Sequence, residues 1–317
     1  MSMEMTRRGA MGAAIGGAAA LALAGGARPA RAAAEMQGAM VPAVRRFKLG
    51  GFEVTTIHDG AVSMPGPHPI FGENQSAEDV AAFAEANLLP ADQMQISFTV
   101  TLVNTGSELI LFDAGNGVGR RPNAGLLLSR LAAAGVTPEQ IDLVAFTHFH
   151  GDHIGGVIED GARAFPNARY AASAVEFDHW TDIENATDLV ISNVEPLADE
   201  MTMLAPGDAL VSGIEVIDSM GHTPGHVSYH LESEGRRLVI AGDVANHYAL
   251  SLARPDWHVR FDMDKEKAVA ARQRVFGMIA ADRIPFIGYH MPPPAVGYVV
   301  AEGQGFRFIP ESYQLSL

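Results

Sequence analysis

Thr147-His148-Phe149-His150-Gly151-Asp152-His153 places three imidazoles and one carboxylate directly after the apolar run Ile141–Phe146. That run is short, partly β-branched, and opens after the turn-like Thr137-Pro138-Glu139, so it reads as a buried strand. His148 and His150 stand two apart, on one side of an extended backbone, where both can reach one metal ion. Asp152 and His153 are adjacent and diverge, which suits a second ion beside the first. A lone His or Asp at a strand end is most often a solvated or hydrogen-bonded side chain. A cluster this dense is not read that way.

Three further candidates follow. His222 lies in Gly221-His222-Thr223-Pro224-Gly225-His226, after the apolar run Ile214–Ile217. Asp243 ends Leu238-Val239-Ile240-Ala241-Gly242-Asp243, and His290 ends Ile284-Pro285-Phe286-Ile287-Gly288-Tyr289-His290. Each ends an apolar strand, where open α/β sheets place their chemistry. The set His-x-His-x-Asp-His, then His, Asp and His, resembles the metallo-β-lactamase superfamily.

That resemblance implies an α/β fold, an αββα sandwich of two mixed sheets flanked by helices, with a dinuclear metal site along one edge. His148, His150 and His222 would hold one Zn2+, and Asp152, His153 and His290 a second, with Asp243 between them. Asp152 and Asp243 are the carboxylates given catalytic roles, and the nucleophile would be a metal-bridging hydroxide. Zinc lowers the pKa of bound water from 15.7 to about 7, so hydroxide is available at neutral pH and no Ser or Cys nucleophile is needed. Asp113, in Phe112-Asp113-Ala114-Gly115, matches an Asp of the superfamily that orients the ligands from behind. Thr147 and Thr223 are read as steadying the ligand loops.

Composition narrows the classes. The chain has 317 residues, 48% hydrophobic, enough for one large core. Its formal net charge is −15, and Arg7, Arg8, Arg28 and Arg31 outweigh Glu4 in the first 32 residues, so the remainder is more acidic still. Such a surface repels phosphate backbones, which excludes nucleic-acid partners. Cysteine is absent, so the site must use His and carboxylate. Thr6-Arg7-Arg8, a weakly apolar Ala/Gly stretch from Gly9 to Gly26, and Ala30-Arg31-Ala32 read as a twin-arginine signal peptide over residues 1–32. Ala and Gly are too weakly apolar for a stable membrane span. Residues 33–46 read as a linker and 47–317 as one domain, periplasmic or secreted.

Along that domain, Phe52–Ile57 reads as a strand ending in the turn His58-Asp59-Gly60. Residues 61–95 read as an insertion, a lid or packing, with a helix over Ala77–Leu89. Ile96–Asn104 and Leu109–Asp113 pair as a hairpin, and Pro122–Ala134 is a helix. Ala168–Ala172 is a strand and Ala174–Asp182 a helix, while 183–208 carries no clear pattern. Leu210–Ile217, Val227–Glu232 and Arg237–Ile240 are strands, Asp264–Asp282 is a helix, and Val296–Val300 with Gly305–Ile309 closes the chain as a hairpin. Thr101–Asp113 and Ser228–Asp243 share one plan: strand, polar turn, apolar strand, terminal Asp.

Within the superfamily, His150 replaces the Glu of flavodiiron reductases, and Asp243 is a residue the zinc β-lactamases lack. The basic C-terminal patch of glyoxalase II is missing. Val103-Asn104-Thr105-Gly106-Ser107, Ala164-Phe165-Pro166-Asn167-Ala168, Gly221–His226 with Tyr229, and Ala301–Phe308 are similar to the branch of methyl parathion hydrolase and its lactonase and esterase relatives. The branch implies a homodimer and a substrate pocket that includes Trp180. His247, four residues after Asp243, and Tyr248 are read from that position as overhanging the pocket. Asn116–Asn123 has no aromatic where that branch has a pocket Phe. The expected activity is therefore opening of lactones or cleavage of uncharged carboxylic esters. Phosphotriester hydrolysis is the alternative, and a zinc-binding protein without turnover is the reading from another class.

Overall fold

The computed structural model describes residues 40–313, so the signal peptide read at residues 1–32 lies outside the described residues. Strand β1 (Val44–Leu49) begins inside the stretch read as a linker. It pairs with β2 (Phe52–Pro65), which pairs with β3 (Gln93–Asn104), which pairs with β4 (Leu109–Phe112), all antiparallel. β5 (Leu143–Ala145) then runs parallel to β4. After a small hairpin, β6 (Ile158–Glu159) with β7 (Ala162–Arg163), the sheet continues in parallel through β8 (Arg169–Ser173) and β9 (Met201–Leu204).

The second sheet has the order β10 (Ala209–Val211), β11 (Ile214–Asp218), β12 (Val227–Ser233), β13 (Arg236–Gly242), β14 (Phe286–Gly288), β15 (Val296–Glu302), β16 (Gly305–Pro310). Only β13 and β14 are parallel. Both sheets are mixed, as expected. The two hairpins β3–β4 and β12–β13 each hand on to a parallel neighbour, so the shared plan seen in sequence is a shared topology.

Alternation along the strands explains the layers. Ile110 and Phe112 of β4, and Leu143 and Ala145 of β5, face one buried cluster with Val216, Tyr229 and Leu231 of the second sheet. Leu111 and Val144, one residue out of phase, face a second cluster. There they meet Val80 of α1 (Ala77–Ala86), Leu127 and Leu131 of α2 (Leu127–Ala133) and further apolar side chains. Strands buried on both faces read as unbroken apolar runs, which is how β4, β5 and β13 look in the sequence. Along the chain follow α3 (Gly151–Ile154), α4 (Ala174–Thr181), α5 (Asp188–Asn193), α6 (Leu250–Ala253) and α7 (Lys265–Asp282). Val275, Phe276 and Ile279 of α7 join the inter-sheet cluster through Phe286 and Phe306. None of the described helices is long and apolar enough to cross a membrane.

Several boundaries differ from the sequence reading. β2 does not turn at His58-Asp59-Gly60; it runs on to Pro65 with a bulge there. The cause is the Asp59 carboxylate, which accepts bonds from the backbone N–H groups of Asn116, Gly125 and Leu127 and from Asn116 Nδ2. Those bonds also hold residues 120–126 out of the helix expected from Pro122, so α2 starts only at Leu127. α1 stops at Ala86, capped by Asn87, and Leu88 takes a left-handed φ of 60°. The run Leu210–Ile217 is broken at Gly213, whose φ of 83° makes the turn between β10 and β11. Residues 183–208, without a pattern in sequence, form α5, a 3-10 segment and β9.

Candidate metal centre

Four segments end on one edge of the sandwich. β5 leads into Thr147-His148-Phe149-His150, and His150 is the N-cap of α3, which carries Asp152 and His153. His222 lies in the loop between β11 and β12, Asp243 directly follows β13, and His290 lies just beyond β14. All seven residues expected as ligands are brought together. Side-chain atoms of His148, His150 and His222 lie within 4.8 Å of one another, as do those of His148, His153 and Asp243, and those of Asp152, His153 and His290. Asp243 is the hub: its Oδ2 is 2.9 Å from His290 Nε2 and 3.3 Å from His222 Nε2, and its Oδ1 is 3.4 Å from His153 Nε2.

The surroundings fix which ring nitrogens carry hydrogen. His153 Nδ1 meets Asp113 Oδ2 at 2.9 Å, His222 Nδ1 meets Asp262 Oδ1 at 2.8 Å, and His290 Nδ1 meets the Ser97 carbonyl at 2.9 Å. These partners accept only, so each Nδ1 donates and each Nε2 is turned toward Asp243, with that of His222 also 2.9 Å from His150 Nδ1. His148 Nε2, His153 Nε2 and Asp243 Oδ1 are buried with no hydrogen-bond partner. Polar atoms left without partners in a buried space are costly unless a cation lies among them. The donor set, imidazole and carboxylate with no thiolate, is that of zinc and similar divalent ions.

The titration tendencies differ from ring to ring. Burial lowers His148 well below its ordinary value, and the neighbouring His153 and His150 reinforce this. Burial alone would lower His153 too, but the carboxylates of Asp243, Asp113 and Asp152 outweigh it and raise it well above. Burial likewise opposes, and Asp243 outweighs, in raising His290.

Asp113 sits behind the ligands as expected: its carboxylate takes the Thr147 N–H, the Thr147 hydroxyl and His153 Nδ1, and its own backbone is left-handed at φ 66°. Asp262 was missed by sequence reading. It joins His222 to Arg272, a fully buried guanidinium that also donates to the carbonyls of Val244, Pro255 and Trp257. His226 accepts the backbone N–H of Asp243 at Nε2. Asn246 Nδ2 donates to Asp243 Oδ2, and the Tyr289 ring stacks on His153 with centroids 3.8 Å apart.

Above the cluster opens a cavity of about 300 Å3. Its floor includes His150, Asp152, His222, Asp243 and His290; its walls are Val62, Met64, Ile96 and Phe98 of the β2–β3 ribbon, with Phe261 and Arg120. The ribbon inside the insertion is thus a wall of the site. Three pocket expectations need correcting. Trp180 is buried behind His150, ring centroids 6.0 Å apart, with its indole N–H bonded to Glu176, and is not a lining residue. His247 and Tyr248 line a neighbouring cavity with Leu89, Met94 and Leu250. The reason is local: His247 Nδ1 accepts the N–H groups of Ala249 and Leu250, which turns the ring under its own loop.

Comparison with known proteins agrees with this geometry. The model of the metallo-beta-lactamase superfamily matches residues 99–285, more than half of the chain. A hydroxyacylglutathione hydrolase of Cereibacter sphaeroides is 30% identical over 151 residues, 46% of this chain and 50% of that protein. An atrochrysone carboxyl ACP thioesterase of Aspergillus fumigatus is 26% identical over 183 residues, 56% of this chain and 38% of that protein. The chain thus spans about half the length, or less, of these curated relatives. Among solved structures, the hydrolase AbOPH of the beta lactamase superfamily superposes with a TM-score of 0.80 at 29% identity, covering 87% of this chain and 99% of that one. AidC, a dizinc quorum-quenching lactonase solved with N-hexnoyl-L-homoserine, shares the fold with a TM-score of 0.78 at 24% identity, over 85% of this chain and 98% of that one. This chain belongs to the metallo-β-lactamase superfamily.

Proposed function

We propose that the protein is a dinuclear zinc hydrolase that opens lactones or cleaves uncharged carboxylic esters. The observation that carries the reading is the convergence of His148, His150, Asp152, His153, His222, Asp243 and His290 beneath an apolar-walled cavity of about 300 Å3. His148, His150 and His222 would hold one ion, and Asp152, His153 and His290 the other, with Asp243 shared. When bound, two dications supply Lewis acidity and a water of lowered pKa.

The chain's own residues supply the rest. Asp113, Asp262 and the Ser97 carbonyl hold three imidazoles in the tautomer that presents Nε2 to the site. Asp152 and Asp243 both line the cavity, so both carboxylates would hold the ions beside the reacting group. Val62, Met64, Ile96, Phe98 and Phe261 pack the apolar part of the substrate and keep water out. A net charge of −15 disfavours anionic substrates at encounter. The lactonase AidC and the hydroxyacylglutathione hydrolases, both acting on acyl compounds by name, support the carbonyl-centred reading.

A second reading, phosphotriester hydrolysis, is favoured by one observation. The aromatic wall absent from Asn116–Asn123 is supplied here by Phe98 and Phe261. Comparing kcat/KM for an acyl lactone, an aryl ester and a neutral phosphotriester on zinc-loaded protein tests the choice. The carbonyl substrates are expected to lead. A phosphotriester ahead by more than about tenfold, roughly 1.4 kcal/mol of transition-state binding, would replace the first reading by the second. No turnover of any of the three by the metal-loaded protein would leave the non-catalytic zinc protein. Export through the twin-arginine route is proposed from the sequence alone, and replacing Arg7 and Arg8 by Lys should trap the precursor inside the cell.

A further inference from the structure

Glu176, on α4, is a buried carboxylate that the proposed reaction does not use; it is 1% exposed. Each oxygen takes two donors. Oε1 accepts the backbone N–H of Phe149 at 2.8 Å and the indole N–H of Trp180 at 2.7 Å. Oε2 accepts the Thr223 hydroxyl at 2.7 Å and the backbone N–H of Gly225 at 2.9 Å. Phe149 stands between His148 and His150, while Thr223 and Gly225 follow His222. One carboxylate therefore ties together the two loops that carry the triplet His148, His150 and His222. The fit is close: a Cβ on Gly225 would lie 2.1 Å from the Glu176 backbone nitrogen. The other triplet, Asp152, His153 and His290, has no bond to Glu176; Asp113 stands behind its His153 instead.

We infer that Glu176 is a positioning residue for the His148–His150–His222 subsite, setting its metal affinity separately from that of the Asp152–His153–His290 subsite. Four donors match the lone-pair sites of an ionised carboxylate, whereas an amide at this position brings two hydrogens of its own. Glu176→Gln would therefore set an N–H against a backbone N–H, which cannot turn to accept, and push one loop away. Trp180 belongs to the same device, donating to Oε1 beside the Phe149 N–H.

The inference rests on the metal-site reading, and the test separates the two. Co2+ alone is titrated into the full chain stripped with chelator, following the visible absorption of each equivalent and the unfolding temperature of the stripped protein. Wild type taking up no Co2+ would fail the metal-site reading. Given two equivalents in wild type, Glu176→Gln should weaken one of them by roughly 10–100-fold, as loss of a group behind a metal ligand commonly does, and leave the other within about threefold. Equal weakening of both, in step with a fall in unfolding temperature, would show a general packing role and overturn the inference. Unchanged affinity at both would overturn it as well. If Glu176→Gln does not fold, Thr223→Val decides: it removes one donor to Oε2 and should weaken the same equivalent several-fold, while no change would refute the assignment.

Discussion

Replacing Asp262 by Ala should cost stability and metal affinity for two separable reasons. Asp262 and Arg272 are both buried, with Oδ2 and Nη2 2.8 Å apart, and the other Asp262 oxygen takes His222 Nδ1 at 2.8 Å. Removing one partner of a buried pair leaves an uncompensated charge, which costs about 3–5 kcal/mol. In a chain of this size each kcal/mol lowers the unfolding temperature by roughly 2–4 °C, so a fall on the order of 6–20 °C is expected. Measured with chelator present, that fall contains no metal contribution. Arg272→Met should also destabilise, because the carbonyls of Val244, Pro255 and Trp257 lose their donor. The double variant should cost less than the two single ones together by roughly 1–3 kcal/mol, since neither charge is then left alone.

Metal affinity should not recover in the double variant. His222 still lacks the acceptor that fixes its Nδ1, so a loss of roughly 10–100-fold is expected with Asp262→Ala whether Arg272 is present or not. Stability thus follows Arg272 and metal affinity follows His222. A cost under about 1 kcal/mol for Asp262→Ala in chelator would refute the buried-pair argument, and unaltered metal affinity would remove Asp262 from the support of His222.

Three other predictions concern stability. Burial lowers His247 to about 4, while the unfolded chain holds it near 6.5, so the unfolded state takes up the proton first as pH falls. The neutral ring's contribution is complete above pH 6.5 and is lost between there and pH 4, up to about 3 kcal/mol. Urea unfolding against pH should show a steeper acid loss in wild type than in His247→Gln; parallel curves would contradict it. Among the glycines, Gly225→Ala should destabilise by about 1–3 kcal/mol or more through collision with the Glu176 backbone. Gly277→Ala, inside α7 with open space around its Cβ, should stabilise by roughly 0.5–1 kcal/mol in thermal unfolding.

The seven clustered residues stood out in sequence because each is of ligand type near the end of an apolar strand, a local pattern, and the family resemblance grouped them with Asp113. Glu176 and Asp262 carry no such mark. Glu176 meets Phe149 across 27 residues and Thr223 across 47, and Asp262 meets His222 across 40, so only the folded chain distinguishes them from other carboxylates. The cavity walls were hidden likewise, since Val62, Phe98 and Phe261 come from separate segments. At Asp59-Gly60 the local turn signal was real, but long-range bonds to the Asp59 carboxylate overrode it and kept β2 extended. Sequence placed the chemistry; tertiary bonds decided what stands behind it and what stands over it.

Charge ties these parts to the proposal of two ions. Asp152 and Asp243, at the centre, balance half of the positive charge that two divalent cations bring. The carboxylates behind them supply the remainder: Asp113 behind His153, Asp262 behind His222 and Glu176 behind both His loops, less the guanidinium of Arg272. Asp59, further out, has Arg130 as its own counter-charge. The terminal Asp of the first hairpin, Asp113, and that of the second, Asp243, both reach His153. One imidazole thus links the supporting carboxylate of one half of the fold to the shared carboxylate of the other.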